Sequence, residues 1–371
     1  MTLSDNPDRL RFSVIVVSHQ RPWWLRRCLT ALRQIDHQAF EIVVVADSDS
    51  LGSLKGDDYK SVAFDEANIS LARNAGIRAS AGDVCAFIDD DAVPEPLWLK
   101  HFEHAFADTG AAAVVGYVRG RNGISFQSRV ASIDAEGETH QEQTVEGRPT
   151  VPQLKDGRAL KLVGTNAAFR RQVLVDLNGF DPAYAFYLDD ADISLRLRHH
   201  GFDAAVAPFA EVHHAFAASR RRTGLRAPTH LGDIGRSAAI YMRRHGGIGE
   251  DELWDRLKQR EKKRAIRHMV QGTCEPRDVR RLMLGLYEGW KTGLAMDLPQ
   301  IELRASDPPP FLRVTPIKGH AVYSCRLFRR KSLLSRANAL AESGQRVSVF
   351  SFSLTPVRHL VRYSDSGVWV Q

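Results

Sequence analysis

The sequence predicts an α/β fold in which a mostly parallel sheet carries helices on both faces. Three segments support this prediction because each is apolar over nearly its whole length, namely residues 12–17, 41–46 and 84–88. Helical patterns follow the first and precede the third, over residues 21–32 and 71–81. Apolar strands that alternate with helices are typical of a parallel sheet buried between two helical layers.

The chain of 371 residues is long enough for one large domain and further units. We expect a catalytic domain over residues 1–225, a helical acceptor-side or membrane-facing segment over 226–306 and a small β-α-β unit over 307–371. Three consecutive prolines at 308–310 indicate a stiff linker before the last unit. Residues 120–160 show weak periodicity, which predicts an edge excursion or a mobile loop.

Composition excludes several classes of protein. The four cysteines lie far apart without a CxxC pair, which argues against a zinc site and a disulfide framework. There is no apolar stretch near the roughly 20 residues that span a bilayer, and the N-terminus lacks an apolar leader, so we expect a cytoplasmic protein. The sequence leaves its oligomeric state open.

Positive charge is concentrated late in the chain. Lys and Arg number 51 against 44 Asp and Glu, and much of the excess falls in residues 220–222, 243–244 and 258–267. Two interpretations stay open: a solvated helix surface, and peripheral contact with an anionic membrane at its inner face or with a phosphate-bearing acceptor. Nucleic acid is not expected as a partner, because zinc fingers and RNA-binding aromatic motifs are absent.

Three consecutive aspartates, Asp89, Asp90 and Asp91, end the third apolar strand, and prolines follow at 94 and 96. Adjacent carboxylates repel one another unless a cation lies among them, and oxygen ligands suit Mg²⁺ or Mn²⁺. Ser18 and Asp47 follow the first two strands. Because ligands bind beyond the carboxyl ends of parallel strands, we expect these residues to share one crevice. No GxGxxG follows the first strand, so a dinucleotide site is not indicated.

Five separated motifs resemble the family 2 glycosyltransferases with the GT-A fold, over residues 12–220. Residues 68–76 resemble the family's Ala-Arg-Asn-x-Gly helix and 89–91 its DxD motif. Residues 164–166 resemble its acceptor-side strand, 179–181 its turn and 189–192 its Glu-Asp-x-Asp helix start. The resemblance implies a Rossmann-like GT-A domain that binds a nucleotide-sugar donor with Mn²⁺ or Mg²⁺.

The resemblance also assigns roles to individual residues. The resemblance nominates Asp190 as the catalytic base, with Asp189 in the position of the family's Glu, and the choice between the two stays open. Simple capping of the helix by these carboxylates is the alternative. Asp91 is expected to hold the metal together with His214 or His213. The expected donor-binding residues are Ser18, Arg21, Asp47, Arg73, Asp89 and Asp90. The expected acceptor-side residues are Gly164, Thr165 and Asn166.

These assignments predict an inverting, metal-dependent glycosyltransferase that moves a sugar from a nucleoside-diphosphate donor to a hydroxyl of a glycan or lipid-linked acceptor. Two alternatives stay open. A nucleotidyltransferase also uses a metal held by aspartates, although the Gly-rich basic loop that it needs after the first strand is missing. A non-catalytic glycan-binding or scaffolding relative of the fold would not need both Asp91 and Asp190.

Overall fold

A computed structural model of the chain describes residues 9–303, 307–315, 317, 319–326, 329–356 and 358–371. The polar N-terminal residues 1–8 lie outside this range. The elements up to the acidic triplet are β1 (Phe12–Ser18), α1 (Pro22–Leu32), β2 (Phe40–Ala46), α2 (Ser48–Gly52), β3 (Lys60–Ala63), α3 (Ile69–Ala79) and β4 (Val84–Asp89). The three strands and two helices predicted here are confirmed within two residues at each end.

The middle of the chain adds shorter elements. They are β5 (Ala92–Pro94), α4 (Trp98–Thr109), β6 (Ala113–Arg119), β7 (Phe126–Ser128), β8 (Ala131–Ile133), β9 (Thr139–Gln141), β10 (Ala159–Leu160), β11 (Asn166–Arg170), α5 (Arg171–Asp176), α6 (Asp189–His199) and β12 (Ala204–His214). Residues 120–160 therefore contain four short strands, where the sequence predicted an edge excursion or mobile loop. Of residues 164–166, which resemble the family's acceptor-side strand, only Asn166 lies in a strand, as the first residue of β11.

The last part of the chain begins with three helices and ends with four strands and one further helix. Its elements are α7 (Gly232–His245), α8 (Glu250–Val270), α9 (Pro276–Ala295), β13 (His320–Arg326), α10 (Arg330–Glu342), β14 (Arg346–Phe352), β15 (Arg362–Tyr363) and β16 (Val368–Val370). The sequence predicted the β-α-β unit of β13, α10 and β14 but missed the last two strands.

In the described residues, nine strands form the main sheet, in the order β3-β2-β1-β4-β11-β6-β12-β5, with β7 paired to β6. β1 lies parallel to both β2 and β4, and β6 lies parallel to β12, whereas β11 runs antiparallel between β4 and β6. Apolar clusters fill both faces of this sheet. The carboxyl ends of β1, β2, β4 and β12 therefore meet at one edge.

The helices α7 to α9 share an apolar cluster with α6, centred on Tyr184, Tyr241 and Trp290. Helices α7 and α9 approach very closely at glycines. A Cβ on Gly289 would collide with the backbone carbonyl oxygen of Gly232, and one on Gly235 would collide with that of Leu286. The helical segment is thus packed directly against the element that begins with Asp189 and Asp190.

The C-terminal sheet has the order β13-β14-β16-β15. It packs on α1 and β5 through Tyr363 and Trp369, which form a small apolar cluster with Ala31 and Val93. Nε2 of Gln34 donates a hydrogen bond of 2.8 Å to the carbonyl oxygen of Gly367. These contacts fix the C-terminal unit to the main sheet beside the edge at which β5 and β12 pair.

Candidate active site

The aspartates of the acidic triplet, Asp89 to Asp91, lie in two different environments. Asp90 is 3% exposed, and its carboxylate accepts a hydrogen bond of 2.7 Å from Ser18 Oγ and pairs with Arg21 Nη1 at 2.7 Å. Burial raises the pKa of Asp90 to about 7, with Asp91 adding to the shift and Arg21 opposing it. The structure therefore gives Asp90 a supporting part in place of the donor contact expected from the sequence.

Asp91 instead faces β12. Its Oδ1 lies 3.1 Å from His214 Nε2, while Oδ2 accepts from the backbone N–H of Ala217 at 2.7 Å and pairs with Arg21 at 2.9 Å. Although burial acts to raise it, the pKa of Asp91 is lowered, because His214, Arg21 and the N–H of Ala217 stabilise the carboxylate. Asp91 is thus an ionised carboxylate whose orientation is fixed by its three partners.

Asp89, Asp91 and His214 offer one ligand atom each within 4.8 Å of one another. Two carboxylate oxygens and an imidazole nitrogen suit Mn²⁺, and Mg²⁺ would be held mainly by the oxygens. Thr165 Oγ1 donates a hydrogen bond to Asp89 Oδ2 and so orients that carboxylate. The donor set fits a divalent cation.

His213 does not belong to this group. Its Nε2 lies 2.6 Å from Glu95 Oε1, and its ring packs against Trp369 at 5.0 Å between centroids. Neighbouring residues of a strand point to opposite faces, so only one of the two histidines can face Asp91. The sequence named both, and the structure selects His214 and directs His213 to the C-terminal unit.

Gln127 of β7 is a residue that sequence reasoning missed. Its Oε1 lies 3.2 Å from His214 Nδ1, and because an amide oxygen only accepts, Nδ1 carries the hydrogen. That arrangement directs Nε2 toward Asp91. Gln127 lies in a segment without periodicity, so nothing local in the sequence indicated its position.

The second acidic cluster begins α6. Asp189 is buried and pairs with Arg73 Nη1, whose guanidinium lies over the rings of Phe87 and Phe180. Burial raises the pKa of Asp189 to about 6, although Arg73 opposes the shift and Asp190 adds to it. Arg73, for which the sequence suggested a donor contact, is thus the partner of Asp189.

Asp190 differs from its neighbour. It is half-buried, and its side chain has no hydrogen-bond partner among the residues that the structure describes. Neither aspartate caps α6, since the N-cap position is Leu188. Asp190 therefore presents a free carboxylate beside the buried Asp189–Arg73 pair.

The two clusters are neighbours. A Cβ on Gly164 would collide with the Arg73 guanidinium, and the next residue, Thr165, binds Asp89. Asn166 is wholly buried, and its amide bonds Trp98 Nε1 and the carbonyl oxygens of Tyr117 and Ala210. The sequence expected an acceptor contact from Asn166, but its side chain is used inside the sheet.

Asp47, another expected donor residue, lies at the same edge. Asp47 caps α2 and accepts hydrogen bonds from the N–H of Ser50 at 2.9 Å and of Gln20 at 2.6 Å, which lower its pKa although burial acts to raise it. Arg220 Nη2 donates to Gln20 Oε1 at 2.6 Å. Arg222 packs over the ring of Phe216 at 3.8 Å. The segment after His214 therefore lies across the crevice and brings arginines to it.

Comparison with known proteins identifies the domain. Residues 13–177 match the family model described as "Glycosyl transferase family 2". Over these residues, just under half of the chain, the protein is similar to the family 2 glycosyltransferases. The matched residues include the aspartate triplet and the helix that resembles Ala-Arg-Asn-x-Gly, whereas Asp189, Asp190 and His214 lie beyond them.

Two curated relatives show the level of similarity. The succinoglycan biosynthesis protein ExoM of Rhizobium meliloti is 33% identical over 128 residues, covering 31% of this chain and 41% of that protein. A pre-mycofactocin glycosyltransferase of Mycobacterium tuberculosis is 25% identical over 221 residues, covering 56% and 43% respectively. The chain spans about two fifths of the length of these relatives.

A solved structure shows the fold. The crystal structure of GalNAc-T7 with UDP, GalNAc and Mn²⁺ superposes with a TM-score of 0.51 at 15% identity, covering 78% of this chain and 56% of that one. The GT-A fold predicted from the sequence is confirmed. Among the described residues, no helix combines the length and apolarity needed to cross a membrane.

Proposed function

We propose that this chain is an inverting, metal-dependent glycosyltransferase that moves a sugar from a nucleoside-diphosphate sugar to a hydroxyl of a glycan or lipid-linked acceptor. One observation supports the proposal above others. The metal-binding set of Asp89, Asp91 and His214 lies next to the free carboxylate of Asp190 and its neighbour Asp189, joined by Gly164 and Thr165, in a family 2 domain.

In this proposal Asp89, Asp91 and His214 hold Mn²⁺ or Mg²⁺. When bound, the cation would neutralise negative charge that develops on the diphosphate leaving group. The ion pair with Arg21 helps to keep the Asp91 carboxylate ionised. Arg222, which packs on Phe216 close to Asp91, is placed to contact the diphosphate as well. Ser18 and Asp47 shape the donor side through the bonds described above.

Asp190 is the proposed base. Its carboxylate is free to accept the proton of the acceptor hydroxyl, whose oxygen then attacks the anomeric carbon from the face opposite the leaving diphosphate, which inverts the configuration. Asp189 is too deeply engaged with Arg73 to take this part. We therefore assign Asp189 and Arg73 to holding the start of α6.

We also propose that the helical segment includes a surface that meets an anionic membrane at its inner face. The surface consists of the outward sides of α8 and α9, where exposed Ile266, Val270, Leu284 and Tyr287 lie among basic residues. The basic residues are Lys262, Lys263, Arg267, Arg280 and Arg281. Exposed apolar side chains ringed by cations complement an acidic lipid surface, which suits a lipid-linked acceptor.

Turnover of nucleotide sugars tests the proposal. The protein is incubated with Mn²⁺ and a panel of nucleoside-diphosphate sugars, and we expect slow release of nucleoside diphosphate from one of them. A nucleotidyltransferase would instead form pyrophosphate from a nucleoside triphosphate, and a non-catalytic relative would do neither. Absence of both donor binding and turnover across the panel would overturn the proposal.

Two variants assign the roles. Asp190→Asn is expected to lower transfer at least 10²-fold while donor affinity stays within a few-fold, since a general base contributes about 10²–10⁴ to the rate. Asp91→Ala is expected to remove the Mn²⁺ dependence of donor binding in calorimetry. Asp57→Asn, at an exposed position, is the matched control and should change neither quantity.

A further inference from the structure

The backbone immediately before Asp189 adopts an unusual conformation. Tyr187 and Leu188 have φ angles of 72° and 66°, so two successive residues with side chains lie in the left-handed region. Each such residue costs about 1–3 kcal/mol and persists only where its surroundings hold it. The turn 186–188 (the αL turn) sets the direction in which α6 begins, and with it the orientation of Asp190.

Helix α7 holds the αL turn from one side. Ser237 Oγ donates a hydrogen bond of 2.7 Å to the carbonyl oxygen of Phe186, the residue before the two left-handed positions. The side chain of Leu188 is buried in the apolar cluster to which Ile234 and Tyr241 of α7 contribute. Both contacts come from residues outside the part of the chain that matches the family model.

Helix α8 holds the same turn through Arg260. Its Nη2 donates to the hydroxyl oxygen of Tyr187 at 3.2 Å, and its Nη1 pairs with Glu138 Oε1 at 2.6 Å. Glu261 lies beside the same guanidinium at 3.2 Å. Arg260 thereby connects the αL turn to the β8–β9 hairpin and has its own position fixed by two carboxylates.

The end of α7 holds the other side of the acidic cluster. His245 Nε2 lies 2.9 Å from Asp192 Oδ1 within the first turn of α6, and Arg244 Nε donates to Asp181 Oδ2 at 2.8 Å. One helix therefore contacts the chain both before and after Asp189 and Asp190. The strained turn is therefore held by several independent contacts, as such a backbone conformation requires.

We infer that Ser237 and Arg260 are positioning residues for Asp190, and that α7 and α8 form part of the catalytic apparatus. The inference rests on the proposed function, since it concerns the rate of the reaction proposed for Asp190. It gives the segment 226–306 a specific role, in which α7 and α8 hold the αL turn so that the free carboxylate faces the bound acceptor.

The test uses the full chain and three substitutions. Arg260→Met keeps the aliphatic stem but removes the hydrogen bonds to Tyr187, Glu138 and Glu261. Arg260→Lys restores one cationic donor, and Ser237→Ala removes the contact from α7. Arg256→Met is the matched control, because Arg256 lies on the same helix and, among the residues that the structure describes, pairs with exposed Glu252 alone. Steady-state rates with donor and Mn²⁺ are measured together with amide hydrogen exchange of the peptide 183–192.

We expect Arg260→Met and Ser237→Ala to lower kcat at least tenfold with the donor KM within twofold, and Arg260→Lys to recover part of the loss. Exchange of the 183–192 amides should quicken in Arg260→Met and Ser237→Ala and stay unchanged in Arg256→Met. An unchanged kcat in an active wild-type background, or equal falls in Arg256→Met, would overturn the inference. A wild type that neither binds nor turns over any donor would instead refute the proposed function, and hydrogen exchange would still test whether α7 and α8 hold the turn.

Discussion

At the scale of single residues, the site depends on side chains that orient other side chains. Thr165 holds Asp89, Arg21 holds Asp90 and Asp91, and Gln127 holds His214. A hydrogen bond to the far nitrogen of a metal-binding imidazole fixes its tautomer and raises its basicity as a ligand. The metal affinity of the triad should therefore depend on residues that are not ligands.

Gln127→Leu tests this dependence. Loss of the amide oxygen frees Nδ1 of His214 from its single orientation, and partners of this kind are worth about 10- to 100-fold in metal affinity. We expect Mn²⁺ to bind roughly tenfold more weakly in calorimetry. Gln153→Leu, a substitution outside this hydrogen bond, serves as control. Equal affinity in wild type and Gln127→Leu would contradict the role given to Gln127.

The raised pKa of Asp189 predicts a pH effect with a defined sign. This carboxyl binds its proton up to about pH 6 in the folded chain but only to about pH 4 when unfolded. Its contribution to stability is therefore complete below about pH 4 and is lost as pH rises through 6. Urea unfolding at pH 4.5 and 7 should show a smaller loss of stability in Asp189→Asn than in wild type. Asp57→Asn should behave as wild type, and parallel pH profiles for Asp189→Asn would refute the assignment.

At the scale of elements, the sequence predicts features that depend on neighbouring residues. It misses features that depend on residues far apart in the chain. Strands β1, β2 and β4 were predictable because their apolar residues are consecutive, and their polar ends fixed the place of Asp89 to Asp91. Residues 162 and 163 are also apolar, but they form irregular chain, in which the N–H of Leu162 donates a hydrogen bond to Ser194 Oγ in α6. No local pattern shows such a long-range bond.

For a related reason, the sequence could not predict which of His213 and His214 faces Asp89 and Asp91. The register of β12 against β6 shifts between Ala207 and Glu211, around Pro208, and every residue beyond the shift depends on it. The αL turn escaped prediction as well, because neither Tyr187 nor Leu188 is a residue type that favours φ above zero. Tertiary contacts from α7 and α8 decide both backbone angles.

The close crossing of α7 and α9 makes an element-scale prediction. Gly289→Ala places a methyl group against the carbonyl oxygen of Gly232, so the helices must separate. Overpacking of this kind costs about 1–3 kcal/mol, and we expect that loss in urea unfolding monitored by circular dichroism. Gly52→Ala, whose Cβ would meet nothing within 4 Å, is the control and should cost nothing. Equal stability of the two variants would show that the crossing tolerates a wider spacing.

At the scale of the whole molecule, the charge distribution separates two surfaces. The crevice brings carboxylates together at the carboxyl ends of the strands, whereas helices α8 and α9 carry both exposed basic residues and exposed apolar residues. Lys262, Lys263 and Arg267 have no ion-pair partner in the described part of the chain. Free cations at an exposed apolar surface are the arrangement expected of contact with acidic lipid.

Vesicle binding tests this surface. Each basic residue near an anionic membrane contributes about 1 kcal/mol, so Lys262→Glu, Lys263→Glu and Arg267→Glu together should weaken sedimentation with phosphatidylglycerol vesicles at least about 100-fold. Vesicles of phosphatidylcholine alone should bind neither protein. Lys55→Glu, Arg148→Glu and Lys155→Glu, at exposed positions on the main domain, form the control. Equal weakening by both triple variants would indicate a response to net charge alone.

The placement of His214 at the end of β12 has a consequence for biosynthesis. Its imidazole meets a carboxylate 123 positions earlier in the chain, and at about 5–20 residues per second a ribosome needs roughly 6 to 25 s to cover that distance. During this interval the nascent chain contains Asp89 and Asp91 but not yet His214. Binding of manganese by the proposed set therefore has to await translation of β12, which couples maturation of the metal-bound protein to one of the last pairings of the sheet.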